Sequence, residues 1–456
     1  MAELGRRVDG VVDHLRSPIY SRAYALILSS IATAVLGLLY WTLAARLYSA
    51  SDVGVNAALI STMMFLSYLS QLSLAEVLTR FIPTSGRATT KLILASYSAA
   101  VALSAIVALV FLAVAGIWAP SVRPLIDTPV AAAWFVAATV AWSLFALQDA
   151  VLTGLQRTIW VPIENTIFAV VKILVLVALA GSLAGSGLYI SWTVPAVLSI
   201  VPINALIFRR FLPGIVARQR DVDPEGSVGL IARYVAADYA GSMLETASTG
   251  LLPLIVLATL GASASAYYYI AWTIAYSLQL LSLNMSLSLS VEGAVRRSEV
   301  GPGMWRMLRL LVGLQLPLVV GITIFAPLIL QIFGRVYSDE GATLLRLLAL
   351  AVLPHGVNAL CLGLARVRRQ FGVLFAIQAA QAGLFVALAV VLLPAIGIAG
   401  VGVAFLVAQS AVAIVASVTQ IGPLLRADRP QSAAGSGVGS PPRDAGAIVG
   451  SSEPPE

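Results

Sequence analysis

The chain has 456 residues, of which 59% are hydrophobic and only 11% charged, with a formal charge of +7 and a mean hydropathy of +0.93. Soluble domains carry about a quarter charged residues, so this composition excludes a string of soluble domains and specifies an integral membrane protein embedded in the lipid bilayer. A single cysteine, Cys361, excludes a disulfide framework, a cysteine-rich zinc site and an iron–sulfur cluster. No phosphate-binding G-x-x-x-x-G-K-[ST] loop or dinucleotide-binding G-x-G-x-x-G unit occurs. No cofactor, metal or nucleic-acid partner is therefore expected; the basic excess fits the surplus of Lys and Arg on the cytoplasmic side of membrane proteins.

In chain order, residues 1–22 come first as a cytoplasmic amphipathic segment. Within it Leu4, Val8, Val11, Val12 and Leu15 fall at helical spacing opposite Arg6, Arg7, Asp13 and Arg16, which predicts a short interfacial helix ending at Pro18 rather than a signal peptide. A bilayer-crossing helix needs about 20 mostly apolar residues. That window predicts twelve spans, at 23–45, 53–77, 92–117, 130–153, 160–181, 188–208, 230–258, 265–290, 304–330, 342–365, 371–393 and 397–423. They divide into a six-helix lobe over 23–208, a polar central loop over 209–229, and a second six-helix lobe over 230–423. Since six is even, both lobes enter from the same side, and any repeat is parallel about the membrane normal. Residues 424–456 are rich in Pro, Gly, Ser and Ala and are predicted to be a disordered tail.

With the N-terminus inside, 23 of the 28 Lys and Arg residues fall on the cytoplasmic side, four (Arg46, Arg123, Arg335 and Arg346) fall outside, and Lys172 alone lies within a span. This bias supports an even number of spans and cytoplasmic N- and C-termini.

Leu43-Ala44-Ala45-Arg46-Leu47, Asp52-Val53-Gly54 and Leu78-Thr79-Arg80-Phe81-Ile82-Pro83 resemble the N-terminal pattern of bacterial Wzx-type polysaccharide flippases. These belong to the multidrug/oligosaccharidyl-lipid/polysaccharide (MOP) exporter superfamily. Phe333-Gly334-Arg335-Val336-Tyr337 and Leu393-Pro394-Ala395-Ile396-Gly397 fit later parts of the same pattern. The resemblance implies an all-α fold of about twelve transmembrane helices in two lobes around a central cavity. It implies translocation of polyprenyl-pyrophosphate-linked oligosaccharide across the bacterial cytoplasmic membrane by alternating access, with other polysaccharide-assembly proteins as partners and no catalysis. In the family the first, second, seventh and eighth spans line the cavity.

Charge at membrane depth is costly, so each such residue is a functional candidate. On the seventh span Asp238, Ser242, Glu245 and Thr249 share one helical face, below Arg233 near the surface. They read as a cavity stripe for substrate contact or ion coupling, or as structural glue between helices. Asp149 and Glu164 flank the Arg157 turn at similar depth, both candidates for ion coupling. Lys172 is the natural partner for an anionic pyrophosphate, with Arg80 and Arg233 at the mouth; the alternative is an ion pair with Glu164 or Asp149. On the eighth span Tyr269, Trp272, Tyr276 and Gln279 suit stacking on sugars or ordinary packing. His355, beside Pro354, is an ion-coupling candidate, with donation to a backbone carbonyl as the blander and favoured reading. Asp221-Val222-Asp223 looks like a metal-binding D-x-D but sits in too short a loop for that chemistry.

A flippase is the reading that joins these features. An ion-coupled multidrug exporter of the same superfamily would use the carboxylates without Lys172. A membrane-embedded glycosyltransferase or polymerase is disfavoured by the short outer loops.

Overall fold

A computed structural model describes residues 18–183, 185–216, 228–295 and 300–422, the side chains of 18–32, 118, 215–216, 228–238 and most of 287–303 excepted. The interfacial helix expected over 3–16, the Asp221–Asp223 cluster and the tail from 424 lie outside the described residues.

Every regular element among the described residues is helical. The first half comprises α1 (Pro18–Leu47), α2 (Ala50–Gln71), α3 (Leu74–Phe81), α4 (Thr89–Trp118), α5 (Pro129–Gly154), α6 (Trp160–Leu179), α7 (Gly187–Leu206) and α8 (Leu212–Val216). The second comprises α9 (Val228–Gly250), α10 (Leu252–Leu260), α11 (Ala262–Val295), α12 (Val300–Gln331), α13 (Arg335–Val367), α14 (Phe371–Ile396) and α15 (Ala399–Ala416). Among the described residues, ten helices are long and apolar enough to cross a membrane. The two other predicted spans coincide with α1 and α11, whose side chains are described in part.

Local chemistry sets the boundaries. Ser49 caps α2, its hydroxyl accepting from the Asp52 amide at 3.1 Å and donating to the Asp52 carboxylate at 2.6 Å. Thr128 caps α5 ahead of Pro129, which sits where a helix needs no N–H.

Three expected boundaries shift. The second span does not run unbroken to 77: Leu72 and Ser73 take left-handed backbone (φ 44° and 62°), ending α2 and restarting the chain as α3. The seventh span breaks at Leu251, where Pro253 has no N–H to offer the Thr249 carbonyl one turn back. The sixth span does not stop at 208; it continues through a widened turn at Ile207–Phe211 into α8.

The first-half helices pack mainly on one another, α1 on α6, α4 and α7 on α5, and α6 on α7. In the second half α13 is central, packed by α11, α12 and α15, with α14 joining α15 to α9. The halves meet where α2 lies along α10 and α11. At one end of α2 the approach is backbone to backbone: a Cβ on Gly54 would lie inside the Ala262 carbonyl. Ser265 beside it donates to the Gly54 carbonyl at 3.3 Å and to the Pro253 carbonyl at 3.0 Å. At the same end Arg46 donates to the Ile332 and Gln331 carbonyls at 2.9 and 2.8 Å, capping the last turn of α12 from the other half. At the opposite end of α2 the Tyr239 hydroxyl donates to the Leu69 carbonyl at 2.8 Å.

Hydrogen bonds from a charged donor contribute about 1.5–3 kcal/mol each, less where water competes as it does at exposed Arg46. Arg46→Ala is expected to loosen this end. Spin labels at Asp52 and Glu340, read by pulsed electron resonance, should show a longer and broader distance distribution than in the parent.

Candidate functional site

Lys172 lies on α6 one turn beyond Phe168, both on the face that α1 and α7 cover. Its ammonium stands over three rings: Trp192 of α7 at 3.7 Å from the centroid, Tyr40 of α1 at 4.7 Å and Phe168 at 5.2 Å. Tyr40 is held by its hydroxyl, which bonds Ser191 at 2.9 Å and the Leu188 carbonyl at 3.1 Å. Tyr40 and Trp192 meet edge to face at 5.3 Å between centroids, and Trp192 reaches Trp142. Lys172 is only 5% exposed.

No carboxylate among the described residues lies within 4 Å of the Lys172 ammonium, so the expected alternative of a Glu164–Lys172 or Asp149–Lys172 ion pair is overturned. Glu164 sits two helical turns away from it on α6. Cation–π contact returns about 2 kcal/mol per ring when desolvated, so the three rings offset a large part of the several kcal/mol that a buried, unpaired charge costs.

The cage reaches the second half of the molecule. Trp41, next to Tyr40, is 5.8 Å from Trp192 and 4.6 Å from Tyr269 of α11. A continuous aromatic run thus leads from Lys172 to the seam between the halves.

The other sequence candidates scatter around this centre. Trp272 points the other way, stacked on Phe385 and edge-on to Phe405, so it is core packing rather than a sugar platform. Tyr276, 44% exposed, lies within electrostatic reach of half-buried Glu245. Gln279 is buried, its amide nitrogen without a partner. Arg80 is exposed at the end of α3, near the Arg157 turn. Arg233 and Asp238 belong to the stretch of α9 whose side chains lie outside the described residues. Ser242 on that helix accepts from Gln378 at 3.3 Å. His355 is buried beside Phe405, and neither ring nitrogen has a hydrogen-bond partner. The expected bond to a backbone carbonyl is thus absent. Nearby, Asn358 and Gln381 both donate to the Gln409 carboxamide oxygen, at 2.8 and 2.9 Å. Asp149 and Glu164 stand together between α5 and α6.

Sequence reasoning found Lys172. It missed Trp192, Trp41 and Phe168 because their distances from Lys172 in the chain carry no period. The signal available was Trp142, midway along α5 and away from the ends where interfacial tryptophans gather.

No protein-family model matches the chain, and no curated protein matches it in sequence. Solved structures do. A multidrug resistance MATE family transporter of the MOP superfamily, inward-facing, superposes with a TM-score of 0.63 at 13% identity, covering 87% of this chain and 96% of that one. The lipid II flippase MurJ, in an inward closed conformation, gives 0.65 at 12% identity, covering 88% and 89%. A point mutant of the Vibrio cholerae MATE transporter VcmN gives 0.60 at 13%, covering 90% and 96%. The chain has the MATE and MurJ fold. It is an all-helical, multi-pass membrane architecture, and the likeness is one of backbone path rather than of site residues.

Proposed function

We propose that the protein is a flippase for a polyprenyl-pyrophosphate-linked oligosaccharide, working by alternating access in a bacterial cytoplasmic membrane with both termini in the cytoplasm. One observation carries this reading: a buried lysine, caged by aromatic rings and with no carboxylate partner among the described residues, in a fold shared with a lipid II flippase. A phosphate arriving in the seam would find an unpaired cation and rings with apolar faces and polar edges, which suit sugars. Arg80 and Arg233, at the end expected to face the cytoplasm, would meet the headgroup first. Tyr269, Tyr276, Gln279, Asp238 and Glu245 would contact sugar hydroxyls while the polyprenyl chain stays in lipid. Twelve spans, counting α1 and α11, and two moving lobes belong to the same proposal. The switch needs binding energy that differs between the two states.

The test is direct. In sealed vesicles containing the purified protein, a fluorescent polyprenyl-pyrophosphate glycan should become accessible to a membrane-impermeant reductant on both faces within minutes. Vesicles with no protein should protect half of it. If such vesicles instead export a cationic dye and leave the lipid in place, the multidrug reading of the MATE fold replaces this one.

A further inference from the structure

Two polar groups at the ring cage are donors without an acceptor. The indole N–H of Trp192, a residue 8% exposed, has no hydrogen-bond partner among the described residues. The Lys172 ammonium stands 3.7 Å from the centroid of the same ring, with no described carboxylate within 4 Å. Buried indole N–H groups usually find an acceptor. Trp134 of α5 follows that rule close by, its N–H donating to the Thr193 hydroxyl at 3.0 Å. The Tyr40 hydroxyl is engaged too, with Ser191 and the Leu188 carbonyl. The cage therefore presents one cation and one neutral donor, side by side on α6 and α7.

Packing, not a hydrogen bond, fixes the Trp192 ring. Tyr40 and Phe168 meet it edge to face at 5.3 and 6.2 Å between centroids, and Trp142 lies against it at 6.1 Å. The ammonium sits over the face of this ring, whereas the N–H points outward in its plane. The two donors thus start a few ångströms apart and aim in different directions. A carboxylate accepts best within its own plane. The oxygens of a tetrahedral phosphoryl group leave in several directions, so two of them can meet two divergent donors.

We infer that Lys172 Nζ and Trp192 Nε1 form a two-donor site for a phosphoryl group, each donor meeting a different oxygen. The part played by Lys172 rests on the flippase reading, and that of Trp192 deepens it. An ammonium binds phosphate as a point charge and leaves its orientation free. The indole N–H supplies the missing direction, so Trp192 sets how the headgroup lies in the cage. A hydrogen bond to a charged acceptor is also about twice as strong as a neutral one. The aromatic run through Trp41 to Tyr269 connects this site with the seam between the halves.

The experiment uses the purified full chain in detergent, labelled with nitrogen-15 at its tryptophan indoles and titrated with inorganic pyrophosphate. The Trp192 N–H resonance, identified by its loss in Trp192→Phe, should shift downfield and saturate. Binding of phosphorus-32 pyrophosphate should weaken about tenfold or more in Trp192→Phe, which keeps a ring beside the ammonium, and at least as much in Lys172→Met. Thermal unfolding checks that each variant is folded; should Trp192→Phe not fold, Trp192→Tyr supplies the assignment. Glucuronate, which offers the carboxylate of an acidic sugar, should bind roughly tenfold more weakly than pyrophosphate. Absence of saturable pyrophosphate binding by the parent overturns the site, as does binding that leaves the Trp192 resonance unmoved. Glucuronate binding as tight as that of pyrophosphate overturns the choice of a phosphoryl group. No lipid enters this assay. An unmoved Trp192 resonance beside intact glycan flipping in vesicles retires the two-donor site alone, and a full response beside failed flipping retires the transport reading alone.

Discussion

Lys172→Gln is expected to lower translocation of an anionic lipid-linked glycan roughly ten- to a hundredfold, the loss of one charge-assisted contact of about 1.5–3 kcal/mol. Lys172→Glu should abolish it, since the variant places a like charge against the phosphate. The same substitutions should spare export of a cationic substrate, so the pair separates a lipid carrier from a multidrug exporter in a single vesicle assay. Stability should move the other way. Lys172 is buried with no carboxylate partner among the described residues, and the desolvation cost that its removal relieves is at least of the order of the cation–π contacts given up. Lys172→Met, similar in volume, should therefore unfold at the same temperature as the parent or a few degrees higher. A structural lysine would behave oppositely, with lower melting and lower transport together.

The second large effect is expected at Gly54. Its α-carbon meets the backbone of α11 at Ala262 and Ala266, so no side chain can step aside for an added methyl group. The halves must part locally, at the typical overpacking cost of about 1–3 kcal/mol. In a two-state transporter that cost weighs only on the state in which this end is closed, shifting the population toward the open form by roughly five- to a hundredfold. Gly54→Val should thus raise the labelling rate of a cysteine placed at Ala50 by an impermeant thiol reagent and cut transport at least tenfold, with Gly54→Ala between it and the parent. The single native thiol, Cys361, is buried and does not compete for the reagent. Unchanged labelling and full transport in Gly54→Val would show that this seam does not open during the cycle.

Much of this protein is legible in its sequence because the bilayer imposes a simple rule. Each crossing segment must satisfy its own backbone, so apolar length alone marks the helices. The all-helical class and the positions of most spans follow from that, and the rarity of charge at membrane depth singles out Lys172, Asp149, Glu164 and His355.

What the sequence leaves open are the partners of those charges. A lysine eight residues from a glutamate on one helix reads as readily as an ion pair as a caged cation. Only the packing of α1 and α7 over α6 brings Tyr40 and Trp192 to Lys172. The break in the second span was likewise decided in three dimensions. Leu72 and Ser73 have no local preference for left-handed backbone, and that conformation costs about 1–2 kcal/mol per residue. The packing of α3 against α5 and of α2 against α10 and α11 offsets it. Helical periodicity places a residue on a face, but which helix covers that face depends on contacts hundreds of residues apart, as between Arg46 and Ile332.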